Sequence, residues 1–249
     1  MNKFFTVNVN PTMTAAEQGV FADGDLITDW QAFDIPNGGN KLISAYMTTR
    51  PPNGAGANPH HVELYFAKDL VVGDVVIPPK SLGTVNASTI LSAMSRTNLI
   101  GFLQAEEATQ VPVNLDFVFM QRLSTIAKQG GLTDIILQGE PNTGTLTGYS
   151  RIYVATSSTD GDPDFRSTIA TNGGGTAGDA TLTVDTVVAS NVLSVGDVLI
   201  DEDEQEIGTV ADVTATLITF DKNGLLNTVA NNKNIFSKSP MNLVLGFER

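Results

Sequence analysis

Short runs along this chain alternate apolar and polar residues, so that every second side chain is apolar. In KFFTVNVN, Phe5 and Val7 share one face, and in NKLISAYMTTR, Leu42 lies on the face opposite to Ala45 and Met47. Successive side chains of a strand point to opposite faces, so this period of two predicts strands. The pattern recurs in HVELYFAKD, NLDFVFMQR, YSRIYVATS, TLTVDTVV, DVLI, TLITF and MNLVLGF.

Residues typical of turns separate these runs, as in FADGDL, IPNGGNK, RPPNGAGANPHH, GEPNTGT, SSTDGDPD and DKNG. Gly, Asn and Asp tolerate the backbone angles that tight turns require. Helix is predicted only for two short segments, Gln104–Gln110 and Ser124–Lys128. Strands at intervals of roughly 8–12 residues with Gly and Pro turns favour an all-β fold, an antiparallel sandwich that is jelly-roll-like.

A glycine-rich run, STIATNGGGTAG, predicts a flexible connection and a domain boundary near residue 170. Residues 1–170 then form the β-sandwich domain, and residues 171–238 form a smaller, acidic, β-barrel-like domain. The last run, within 239–249, predicts a strand that returns to the first sheet. The small domain is then an insertion before the last strand, and a tandem arrangement is the alternative.

One motif occurs twice, as VGDVVIPPKSLGTV at 72–85 and as VGDVLIDEDEQEIGTV at 195–210. Each copy predicts a hairpin, in which a strand starts after Gly-Asp and another restarts at Gly-Thr-Val. The predicted tips are PPKS in the first copy and DEDEQE in the second. Proline cannot donate to a strand ladder, which suits a tip or an edge, and the acidic tip should be solvated.

Charge and composition then narrow the classes of partner. The net charge of −13 argues against nucleic acid and against an anionic membrane surface as partners. The absence of cysteine excludes disulfides and thiolate metal sites. The N-terminal run resembles a first strand and not a secretory signal, and no apolar run approaches the ~20 residues of a membrane span. A soluble, unprocessed chain is therefore expected.

Candidate metal and phosphate sites are weak in this sequence. His60 and His61 are adjacent, so on a strand they would point to opposite faces and could not share a metal. The D-x-D-x-D stretch at 160–164 opens like a calcium loop, but Phe165 and Thr171 occupy the positions of its Gly and Glu. The acidic tip at 201–206 is a second candidate for a calcium site. Gly173–Gly175 do not indicate a phosphate-binding loop, because no predicted helix follows them.

Candidate catalytic and sugar-binding residues have no distinguishing context either. Carboxylates for glycoside hydrolysis could come from Glu63, Asp116, Glu106 or Glu107. Trp30 in TDWQAFDIP is either a sugar platform or an anchor at the edge of the core. No G-x-S-x-G sequence accompanies the two histidines. The sequence therefore predicts no catalytic, cofactor-binding or metal-binding residue, and a protein that is not an enzyme.

Three segments carry a family resemblance: DGDLITDWQAFDIPNGGNKLISAYMTTR, HVELYFAKD with the following SLGTV, and VGDVLIDEDEQEIGTVADVTATLITFDKNGLLNTVANN. They resemble structural proteins of marine and cyanobacterial tailed phages. The resemblance implies a non-enzymatic virion protein, a capsid decoration or cement protein that binds the major capsid protein or other virion proteins. It also implies a homo-oligomer. The alternative is a tail or fibre-associated glycan-binding module, and a carboxylate-based glycan hydrolase is a third hypothesis.

Overall fold

The computed structural model describes residues 3–49, 61–88, 98–105, 113–115, 118–123, 135–141, 148–160, 163–185 and 189–249. These residues confirm an all-β fold built from antiparallel sheets. Two helical elements lie wholly within the described residues, a 3-10 turn at Ala15–Glu17 and α1 at Ala189–Val192. The strands are β1 Phe4–Val9, β2 Leu26–Pro36, β3 Asn40–Thr49, β4 His61–Lys68, β5 Leu70–Val72, β6 Val75–Ile77, β7 Leu99–Ala105, β8 Val113–Leu115, β9 Val118–Arg122, β10 Ile135–Leu137, β11 Glu140–Pro141, β12 Tyr149–Asp160, β13 Ile169–Ala170, β14 Thr181–Thr183, β15 Val198–Asp201, β16 Glu206–Val213, β17 Leu217–Phe220, β18 Asn234–Ser237 and β19 Met241–Glu248.

The first sheet has the strand order β1-β19-β3-β9-β8, and β10 also pairs with β3. The last strand of the chain, β19, therefore lies between β1 and β3 and pairs antiparallel with both. Its inward side chains Leu243, Leu245 and Phe247 are fully buried. The chain thus returns to its first sheet after residues 169–237 have formed a sheet elsewhere.

The second sheet places β12 between β2 and β4, with β7 beyond β4 and β11 along the edge of β12. Alternation works here as the sequence predicts, because Val62, Leu64 and Phe66 of β4 are buried and Tyr65 is only half-buried. One hydrophobic core joins residues from both sheets. It includes Val9, Phe21, Ile27, Phe33, Ile35, Leu42, Met47, Leu64, Phe66, Leu103, Leu137, Ile152, Val154, Leu243, Leu245 and Phe247.

The third sheet has the order β13-β18-β15-β16-β17-β14 and its own cluster of buried residues. That cluster contains Ile169, Leu182, Val184, Ala189, Leu193, Leu199, Ile207, Val210, Ile218, Phe220, Leu225, Val229 and Ile235. The segment that contains this cluster is more acidic than the rest of the chain. Residues 179–238 carry ten acidic and three basic side chains, a net charge of −7 out of the total of −13. The apolar interior of this segment is thus surrounded by most of the protein's net negative charge.

The glycine-rich run at 167–178 is not the flexible connection that its composition predicts. Ile169 and Thr171 are fully buried, and the amides of Gly175 and Val229 each donate to the carbonyl of the other at 2.9 Å. A Cβ on Gly174 would lie 2.6 Å from the carbonyl oxygen of Val229. Glycine is required here because two backbone segments pack closely, which is a long-range constraint that composition does not reveal.

Two strand predictions are wrong in detail. NLDFVFMQR is not one strand, because β8 and β9 pair as a hairpin with Leu115 opposite Val118. In the first VGDV copy, β5 and β6 form the hairpin and Val72 faces Val75, so its turn is Gly73-Asp74 and not PPKS. The second copy does form strand, acidic tip and strand as predicted, through β15 and β16.

Strand β3 departs from simple alternation at a β-bulge. Ser44 pairs with Gly246, whereas Leu42 and not Ile43 pairs with Phe247. The additional residue shifts the phase, so Leu42 is buried on the same side as Ala45 and Met47, contrary to the prediction. Bulges depend on the partner strand, which explains why the local pattern missed this one.

The two helix predictions have different outcomes. Gln104 and Ala105 belong to strand β7, so the start of the first predicted helix is wrong. Its remainder, 106–110, and the second predicted helix at Ser124–Lys128 lie outside the described residues.

Gly246 provides a test of the packing at the bulge. A Cβ at this position would come closer to Ser44 Oγ than van der Waals contact allows, whereas the Cβ of Ser44 would be 3.6 Å away. Gly246→Ala should therefore lower the free energy of unfolding by about 1–2 kcal/mol, measured by urea denaturation. When Ser44 is already replaced by alanine, adding Gly246→Ala should cause little or no further loss in the free energy of unfolding. Additive effects of the two substitutions would contradict the predicted contact.

Candidate functional site

Glu63, one of the carboxylates considered for glycoside hydrolysis, is held in a hydrogen-bonded cluster on the outward face of the second sheet. The phenol of Tyr65 and the side-chain amide of Gln104 both donate to its carboxylate. Ser157 Oγ donates to the Tyr65 hydroxyl at 3.3 Å. These partners give Glu63 a structural role between strands. The other candidates, Glu106, Glu107 and Asp116, lie outside the described residues.

Trp30 occupies the position of an anchor at the edge of the core. Its indole Nε1 donates to the carbonyl of Lys80 at 2.9 Å, and its ring packs against a small cluster that contains Leu26, Leu82 and Ala155. The contact fixes the segment after β6 across the outer face of the second sheet. A side chain engaged in this way is not presented as a flat platform for a sugar.

The residues considered as metal ligands in the sequence do not form a cluster in the part of the chain that is described. His61 lies at the start of β4 with Asp160 opposite it, and Asp164 pairs with Arg166 at 2.8 Å. His60, Gly161 and Asp162 lie outside the described residues. Within the described ranges, no group of three or more His, Asp or Glu side chains is placed to hold a metal ion.

The acidic tip at 201–206 is exposed as predicted at 202–205, but Asp201 is buried and the acidic side chains have protein partners. The Asp201 carboxylate accepts hydrogen bonds from the amides of Asp203 and Gln205, at 3.0 and 2.9 Å, and so shapes the turn. Lys233 pairs with both Glu202 and Asp203, at 2.8 and 2.9 Å. The hydrogen bond from Lys233, followed by that from the Asn234 amide, lowers the pKa of Glu202.

Glu204 connects the acidic tip to the N-terminal segment of the chain. Its two carboxylate oxygens accept the amides of Ala15 and Ala16, each at 3.0 Å, at the start of the 3-10 turn. Amides at a helix start have no partner within the helix, and a carboxylate satisfies them well. Two further hydrogen bonds join the N-terminal segment to the end of β18 in the third sheet. Gln18 Nε2 donates to the carbonyl of Ser237 at 2.8 Å, and the amide of Met13 donates to the carbonyl of Lys238 at 2.9 Å.

A cleft of about 590 Å³ opens at this junction. Its walls come from the segment after β1, the ends of β3 and β19, residues 165–167, and the third sheet with residues 192–198. Val195 is 66% exposed at this cleft, and Phe236 and Pro240 add further apolar surface. The lining carries two basic side chains, Arg166 and Lys238, and two acidic ones, Asp197 and Glu206. The formal charge of the lining is therefore zero, whereas the chain as a whole is acidic.

The most exposed apolar element described is the hairpin of β5 and β6, with the sequence LVVGDVVI. Val71, Val72, Val75 and Val76 are between 43% and 61% exposed. These two strands pair with each other and with no other strand in the described parts of the chain. The sequence contained a signal for this element, since adjacent valines on both sides of Gly-Asp leave a strand without a polar face.

A scan against protein-family models and searches of curated proteins and of solved structures returned no match for this chain. Among the residues that the structure describes, no helix is long and apolar enough to cross a bilayer.

The link through Glu204 is testable by hydrogen exchange. Glu204→Ala removes the acceptor of the Ala15 and Ala16 amides, so these amides should exchange about 10-fold faster, corresponding to roughly 1.4 kcal/mol of lost protection. Glu202→Ala is the matched control, because it removes the same charge from the same tip but leaves these amides bonded. Equal protection in all three proteins would contradict the link.

The phenol of Tyr65 gives a pH-dependent prediction. Burial, and then the hydrogen bond to Glu63, raise the pKa of Tyr65 from 10.0 to about 12. Since the folded pKa is the higher one, the stabilisation is complete below pH 10 and is lost as the pH rises through about 12. In a spectrophotometric titration, Tyr65→Phe should remove one phenol from the part of the curve near pH 12. Removal of a phenol that titrates near pH 10 would contradict this environment.

Proposed function

We propose that this protein is a non-enzymatic structural component of a tailed-phage virion, which decorates or cements the exterior of the capsid. Its partners are then the major capsid protein or other virion proteins, together with further copies of itself. The segments that resemble phage structural proteins, among them VGDVLIDEDEQEIGTV, motivate this class. One structural observation supports a role in protein–protein contact.

That observation is the exposed hairpin of β5 and β6. A two-stranded hairpin is marginally stable in water by itself, and exposed apolar patches commonly mark interaction sites. Here the four exposed valines of LVVGDVVI are accompanied by one charge, that of Asp74 in the turn. An arm with a single charge on a strongly acidic protein suits attachment to another protein surface.

The proposal includes a finer description of the architecture. Residues 1–170 with the returning strand in 239–249 form a jelly-roll-like sandwich, and residues 171–238 form an inserted, β-barrel-like unit. The separate buried cluster around Leu182, Leu199 and Phe220 supports the second unit. Its acidic exterior would face solvent, and many identical weak contacts on a symmetric shell would supply the avidity.

The glycan-binding alternative requires aromatic side chains that act together on one face. Phe102 and Tyr149 are 48% and 46% exposed on the outward face of the second sheet. Phe102 is in register with Tyr65 and hence with Ala155, six positions along β12 from Tyr149. At about 3.3 Å per residue, these rings are separated by roughly 20 Å, too far to stack on one sugar.

Copy number in purified particles tests the proposed function. Quantitative mass spectrometry should find this chain at about one copy per major shell subunit, or at a simple fraction such as one third, as symmetric decoration requires. A few copies per particle would instead support a tail or fibre component. Absence from particles would overturn the virion assignment.

A further inference from the structure

The exposed hairpin and the junction cleft adjoin opposite ends of strand β4. Strand β4 begins at His61, opposite Asp160, a few residues before the cleft wall at 165–167. It ends at Lys68, and the hairpin starts at Leu70. Eight strand residues span about 25 Å, so the point where the hairpin leaves β4 is well separated from the strand end that adjoins the cleft.

The hairpin needs a partner that covers both of its faces. Val71 and Val72 are consecutive on β5, so they point to opposite faces, and Val75 and Val76 do the same on β6. Pairing two hairpins edge to edge would satisfy backbone groups but would leave these faces in water. A cleft whose walls contact both faces accommodates them better.

The cleft matches the tip of the hairpin in size and in surface character. A volume of about 590 Å³ corresponds to roughly 20 water molecules at ~30 Å³ each, which is the scale of a four-residue turn and not of a domain. Val195, Phe236 and Pro240 offer apolar surface to valines. The cleft wall that carries Val195 is part of the second VGDV copy. The first copy of the motif would therefore form the inserted hairpin, and the second copy would line the cleft that receives it.

Charge favours this pairing over most contacts between two copies. Two chains of net charge −13 repel each other, so association must use surfaces where the acidic charge is low or balanced. The hairpin carries only Asp74, and the cleft balances its two acidic side chains with Arg166 and Lys238. Arg166 pairs with Asp164 at 2.8 Å and Lys238 with Glu206 at 3.1 Å, so Asp74 at the tip would meet neutralised ion pairs and not an acidic surface.

We infer that the β5–β6 hairpin of one copy docks in the junction cleft of a second copy. The contact is head-to-tail, so its repetition produces a closed ring if the rotation closes and a filament if it does not. This inference names the self-contact within the proposed virion function, and it rests on that function only for its biological setting. The contact itself is a property of the purified chain.

Sedimentation velocity at concentrations between about 1 μM and 1 mM, where weak interfaces associate, tests the inference. The wild-type chain should self-associate, and Val72→Asp on the hairpin and Val195→Asp on the cleft should each weaken association by at least about 10-fold. Ile136→Asp is the matched control, because Ile136 is 68% exposed but belongs to neither surface. Far-ultraviolet circular dichroism and urea denaturation check that each variant remains folded.

A mixing experiment identifies the head-to-tail geometry. Val72→Asp retains an intact cleft and Val195→Asp retains an intact hairpin, so an equimolar mixture should form a heterodimer and nothing larger. If Val195→Asp alone associates like the wild type, the contact is hairpin to hairpin and the inference is wrong. A wild-type chain that stays monomeric throughout the range also overturns it.

These outcomes separate the self-contact from the proposed function. A monomeric chain that is abundant in particles would overturn the head-to-tail contact and leave decoration standing. A chain that associates head-to-tail but is missing from particles would overturn the virion assignment and leave the self-contact standing.

Discussion

The insertion of β19 between β1 and β3 is the interaction on which the rest of the structure depends. Leu243, Leu245 and Phe247 are fully buried, and each such side chain contributes about 1.5–3 kcal/mol by leaving water. Without this strand, β1 has no strand partner among the described residues, and β3 loses one of its edges. Because β19 follows the acidic third sheet in the chain, the main core is complete only when the chain has passed through that sheet and returned.

This return explains why the junction is so densely connected. The segment after β1 and the segment before β19 enter the first sheet side by side, which brings Met13 and Gln18 against Ser237 and Lys238. Glu204 adds two hydrogen bonds from the acidic tip to the same N-terminal segment. The cleft lies where these segments leave an incompletely filled space. The hairpin, at the far end of β4, is the apolar element of complementary size.

Much of the fold could be predicted from local pattern, and the failures have a common physical cause. Alternation correctly predicted the buried side of β1 and β4, because those strands are regular and one face of each is buried. Alternation failed at Leu42, which lies next to the bulge opposite Gly246. Composition failed at Gly174, where the backbone packs closely against Val229. The acidic tip was recognisable from sequence, but the Glu204 contact joins residues 189 positions apart. The boundaries of the two domains and the virion assignment remain predictions.

Native-state hydrogen exchange of β19, resolved by residue, tests the central role of the returning strand most directly. Strands that open only with the whole core exchange with the free energy of global unfolding. The amides of Leu243, Leu245 and Phe247 should therefore exchange in the slowest group, together with those of β4 and β12. If β19 exchanges well before β4 and β12, the strand opens separately, and the core does not depend on it.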